Sequence, residues 1–127
     1  MKANELRIGN YYQYAGNSGI VTTSLKGIKI NEFGFYSDLD GTNLEICKPI
    51  PLTEEILLKC GLKRTLYDSS YELKDFSIFL DKRIRENIYI QCEKRNWNVL
   101  NGLRIDYLHQ LQNLYFALTN EELTVNL

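Results

Sequence analysis

The densest set of side chains able to do chemistry is basic: Lys82, Arg83 and Arg85, followed by Lys94, Arg95 and Arg104. If loops bring them onto one face they could hold phosphates, which dominate affinity for nucleic acid. Tyr67, Tyr89 and Trp97 lie close enough in sequence to offer stacking faces to a single strand. Glu86 and Glu93 dilute the cluster, so the simpler reading is a solvated loop with its aromatics in a sheet core.

Other reactive types are sparse. Asp38, Asp40, Asn43 and Glu45 could supply oxygens to a cation, but Gly41 stands fourth in the segment, where an EF-hand needs glycine sixth and a bidentate glutamate twelfth. A solvated Asp-Gly turn explains these residues better. The 3 cysteines, Cys47, Cys60 and Cys92, are odd in number and widely spaced, which argues against a disulfide framework or a zinc knuckle. The single histidine, His109, has no sequence link to any of them, so no cysteine has an activating base. Phosphate-binding glycine loops and a nucleophile elbow are missing. The expectation is a protein that is not an enzyme and needs no cofactor or metal.

With 127 residues, one domain spanning 1–127 is expected, large enough to bury roughly two-thirds of its unfolded surface. The 15 basic and 16 acidic side chains nearly cancel, and the balance holds in both halves of the chain, so no charged tail advertises nucleic acid or membrane. No apolar run approaches the roughly 20 residues of a membrane span. A cytoplasmic location is expected.

Residues 1–48 read as strands. Leu6–Tyr14 and Ile20–Ser24 make a hairpin around the turn formers of 15–19, and Ile28–Ile30, Phe33–Tyr36 and Leu44–Ile46 follow. So many short strands predict a small curled sheet resembling an SH3-like barrel. Tyr11, Tyr12 and Tyr14 with Phe33, Phe35 and Tyr36 would fill its core, any remainder lining a groove of the kind peptide-binding barrels use. Pro49 and Pro51 end the sheet. Thr53 then caps a helix of about two turns with Glu54 and Glu55 at its positive end, and Gly61 closes it in a Schellman stop.

Strands return at Leu62–Tyr67, Tyr71–Leu80, Asn87–Cys92 and Trp97–Leu100, the pattern of an antiparallel meander. A final helix begins at Asp106 as N-cap and ends at Asn120, packing across the meander, and Leu123, Val125 and Leu127 alternate as an edge strand. The fold class is therefore α+β. On the final helix, Tyr107, Leu108, Leu111, Leu114, Tyr115 and Leu118 form the inward stripe. Phe116 falls outside it with His109 and Gln112. Either another part of the fold covers this ring, or Phe116 anchors a partner with His109, Gln112 and Asn113 as orienting groups.

Three segments together, Leu6–Asn10, Pro49–Gly61 and Tyr107–Leu123, resemble a family of small uncharacterised proteins encoded in Bacteroidota genomes, their phages and other mobile elements. The resemblance reaches both ends of the chain and is weaker from Lys63 to Leu100. It implies a mobile-element setting but supplies no reaction, ligand or site residue. Small proteins of that setting often bind a host or phage macromolecule, and blocking a host defence complex is one such role. The functional expectation is a non-enzymatic protein-binding module. Nucleic-acid binding through Lys82, Arg83, Arg85, Lys94 and Arg95 is the alternative, and a structural, self-assembling protein that forms a homodimer is a third.

Overall fold

The computed structural model describes residues 5–32, 34–37, 41–44, 46–65, 70–73, 76–81, 87–92 and 105–127. Strands β1 (Tyr11–Gly16) and β2 (Gly19–Ser24) pair antiparallel, Tyr11 opposite Ser24 and Gly16 opposite Gly19. β3 (Ile28–Asn31) and β4 (Gly34–Ser37) form a second pair. Helix α1 (Glu54–Lys59) leads to an antiparallel meander of β5 (Lys63–Arg64), β6 (Ser70–Leu73), β7 (Phe76–Asp81) and β8 (Asn87–Cys92), and α2 (Leu108–Thr119) follows.

The chain divides into two compact units, residues 1–51 with 107–122, and 52–106 with 123–127. In the first, Leu6, Tyr12, Leu25, Leu44 and Cys47 make a buried cluster, with Tyr14, Ile28 and Phe35 packed against it. Burying each large apolar side chain is worth roughly 2 kcal/mol, and together they hold two hairpins that would be marginal alone. The two pairs are separate two-stranded sheets, and Leu44 and Ile46, the described residues of the expected third strand, lie in turns. Single bridges do the joining, Tyr36 to Asn43 and Gln13 to Lys48. A small mixed α and β architecture with antiparallel pairs is what the structure shows.

Helix α2 belongs to this first unit and lies against β1, whereas the sequence pattern placed it across the meander. Its buried residues are Leu108, His109, Leu111, Gln112 and Tyr115. At 100° per residue this arc is rotated from the expected stripe, and Leu114 and Leu118 are only half-buried. Gln112 is buried with hydrogen-bonding partners inside the fold, a compensation that hydrophobicity alone does not register, whereas His109 is buried against the Tyr107 ring. Tyr107, not Asp106, is the N-cap, and its amide donates to the Gln110 side chain at 3.1 Å. Asn120 closes the helix in the left-handed region, φ 59°, as its type favours.

In the second unit α1 matches its sequence signals. The Thr53 hydroxyl accepts from the Ile56 amide at 3.3 Å. At the other end Gly61 donates to Leu58 at 3.0 Å and Leu62 to Leu57 at 3.2 Å, the paired bonds of a Schellman stop. Leu57, Cys60 and Leu62 are buried. The Tyr71–Leu80 run is two strands, β6 and β7, so its alternation spans a hairpin. Leu123 and Val125 are buried outside the described strands, and the Asn126 amide reaches the Lys59 carbonyl at 2.9 Å. Trp97–Leu100 lies outside the described residues.

Gly61 sits at φ +83°, and a Cβ there would meet only the Leu73 Cδ1 at 4.0 Å. Gly61→Ala should therefore cost about 1 kcal/mol of pure backbone strain, read from the shift of the denaturant midpoint at unchanged slope.

Candidate functional site

The α2 face carrying His109, Gln112, Asn113 and Phe116 is turned to the chain's own N-terminal segment. Gln112 Nε2 donates to the Gly9 carbonyl at 3.0 Å, and Gln112 Oε1 accepts from the Tyr11 amide at 3.0 Å. Asn113 Nδ2 donates to the Glu5 carbonyl at 2.8 Å, and its oxygen accepts from Asn10 Nδ2 at 2.9 Å and Arg7 Nε at 3.3 Å. The Arg7 guanidinium covers the Phe116 ring, 4.2 Å from its centroid, and pairs with Glu122. Gly9, at φ +94°, supplies the bend that aims its carbonyl at Gln112.

This corrects the expected docking surface. Gln112 is only 2% exposed and His109 1%, both consumed inside the fold, while Asn113 and Phe116 are half-buried under residues 5–10. The ring is not a free anchor, because a cation–π lid already occupies one face. A signal for this was present in Leu6-Arg-Ile-Gly-Asn10, whose arginine, glycine and asparagine are the types an amide-bearing helix can engage.

His109 stacks on Tyr107 with centroids 5.9 Å apart, and its Nε2 lies 3.7 Å from the Glu5 carboxylate, too long for a hydrogen bond. Neither ring nitrogen has a hydrogen-bond partner among the described residues. Burial lowers its pKa below the ordinary 6.5, and the Glu5 charge offsets part of that effect. Cys47 and Cys60 are buried thiols, the Cys47 Sγ donating to the Asn43 carbonyl at 3.3 Å, and burial pushes the Cys60 thiol up to about 12, so it is inert as a nucleophile at neutral pH.

Comparison with family models, curated proteins and solved structures finds no match. The functional reading therefore rests on the geometry. Among the described residues no group of three or more histidine, cysteine or carboxylate side chains could hold a metal ion. No described helix is long and apolar enough to cross a membrane. The alternative phosphate-binding residues Lys82, Arg83, Arg85, Lys94 and Arg95 lie outside the described residues, as do Arg104, Tyr67 and Trp97.

What the first unit does present is the β1–β2 hairpin. Tyr12 and Tyr14 turn to the core side, leaving Ala15, Ile20 and Thr22 exposed. Ile20 is 73% exposed and Ile46 74%, and both line an open groove of about 550 Å³ with Tyr14, Val21, Thr42 and Lys48. An isolated exposed isoleucine is ordinary; here two stand on one groove, with the Lys48 ammonium at its side. The aromatic groove expected from the tyrosines is thus present in part, since Tyr14 lines it, but its exposed apolar atoms are aliphatic.

The depressed histidine sets a pH dependence. A folded-state pKa below the unfolded value means the unfolded chain binds more protons, so stability present above about pH 6.5 is lost as pH falls below it. The denaturation midpoint should drop between pH 7.5 and 5.5, and His109→Leu should flatten that part of the profile.

Proposed function

We propose that this chain is a non-enzymatic protein-binding module whose contact surface is the groove beside the β1–β2 hairpin. The observation that carries the reading is the pair of exposed isoleucines, Ile20 and Ile46, on one open groove. Burying both against a partner would contribute a few kcal/mol of driving force, enough for a hot spot when ringed by polar contacts from Gln13, Asn17 and Ser18. Lys48 adds a charge preference for a partner bearing a carboxylate near its apolar anchor. The two strand pairs around one core are also the parts of an SH3-like sheet, a scaffold that presents such grooves.

The mobile-element resemblance supports a partner from the host or phage, and inhibition of a host defence complex is the role such a partner would imply. Nucleic-acid binding through the 82–95 region is a separate reading with an opposite dependence on salt.

Ile20→Asp/Ile46→Asp should leave the fold of the single chain intact by circular dichroism, because both side chains are exposed on it. Immobilised wild-type protein should retain a partner from Bacteroidota cell lysate that the double variant loses, with retention little affected between 50 and about 300 mM salt. Equal retention by both proteins, or retention that collapses with salt and nuclease, would contradict the reading.

A further inference from the structure

We propose that β2 is also the interface of a two-fold dimer, in which two copies of this chain pair strand to strand into one four-stranded antiparallel sheet. The inference goes beyond the groove reading and does not rest on it, because it concerns the strand's outer edge and not the face.

On β1 the outward backbone groups are used. The Tyr11 amide donates to Gln112, and Gln13 exchanges both backbone bonds with Lys48, at 2.9 and 2.8 Å. In an antiparallel pair, residues opposite each other share the same orientation, inward or outward. Ser24 and Thr22, opposite Tyr11 and Gln13, therefore point their amides and carbonyls away from the hairpin, and Ile20, opposite Ala15, does so by alternation. Among the described residues no backbone bond receives these three, and β2 pairs only with β1.

The chemistry of the edge selects its occupant. Natural edge strands are blunted by lysine, proline, bulges or a covering element. Here all 15 residues from Tyr11 to Leu25 are uncharged, in a chain with 24% charged residues, and β2 contains neither proline nor lysine. A neutral, β-branched edge is complementary in charge and side-chain type to another neutral, β-branched edge, and β2 itself supplies one. Centring the two-fold axis on Val21 sets Val21 of the two copies side by side and brings Ile20 of each copy opposite Thr22 of the other. All outward backbone groups at 20 and 22 are then satisfied. Lys48 stands two strand spacings, roughly 10 Å, inside the edge, so the two ammonium groups would be about 24 Å apart and screened from each other. The symmetry is closed, which ends the association at two copies. Both grooves' Ile20 side chains come to lie on one continuous sheet.

Sedimentation of the full chain tests this. Wild-type protein should sediment at twice its 14.8 kDa mass. Thr22→Lys/Ser24→Lys should weaken self-association by about a hundredfold or more through like-charge contact across the edge, and so should Thr22→Glu/Ser24→Glu. An equimolar mixture of the two variants should return to the double mass, which a variant that had simply lost its fold could not do. Wild-type protein that stays at the single mass up to about 1 mM, a dimer that both variants leave intact, or a mixture that does not reassociate would each overturn the proposal.

Discussion

The first unit depends on two neighbouring amides of α2, Gln112 and Asn113, which bond backbone and side-chain groups of residues 5–11. Helix propensity could not by itself place a 12-residue helix beside a two-stranded sheet, and apolar packing would leave its rotation loosely defined. Here the Gly9 carbonyl and the Tyr11 amide fix the rotation through one side chain. Each such bond contributes only about 1 kcal/mol net, but leaving the buried groups unpaired would cost about 1 to 3 kcal/mol apiece. The arrangement is therefore more demanding than it is strong: it rejects other rotations of the helix more than it stabilises this one. It also uses the outward edge of β1, so that β2 is the hairpin's unpaired edge among the described residues.

The local elements were legible because their signals are covalent or nearly so. Thr53, Gly61 and Asn120 each act through the conformation or capping chemistry of a single residue, and each does in the structure what its type predicts. The hairpin of β1 and β2 follows from tyrosines before the turn formers and β-branched residues after them. The inward face of α2 was not legible, because ranking side chains by hydrophobicity puts Leu114 and Leu118 inside and His109 and Gln112 outside. The decisive fact, that the Gly9 carbonyl and the Tyr11 amide both bond Gln112, joins residues over a hundred positions apart in sequence. The same limit hid the groove, where Ile46 and Ile20 meet only through the Gln13–Lys48 bridge region. The interruption of the Tyr71–Leu80 run shows the converse error, since alternation reports a face and not whether one strand or two carry it.

Segments 6–10, 49–51 and 107–122, far apart in sequence, come together in the first unit. Leu6–Asn10 and Tyr107–Leu123 are the two halves of the amide contact, and the Leu108 amide bonds the Ile50 carbonyl from the third segment at 2.9 Å. The uncharged hairpin lies outside all three segments.

Native-state hydrogen exchange at the Tyr11 amide tests the central claim most directly, comparing the wild type with Gln112→Met, which keeps the side chain's length and removes its acceptor. The account predicts that protection at Tyr11 falls about thirtyfold, equivalent to roughly 2 kcal/mol, with a matching loss of global stability. Unchanged protection at Tyr11 in a fully stable variant would contradict it, and would return Gln112 to the surface.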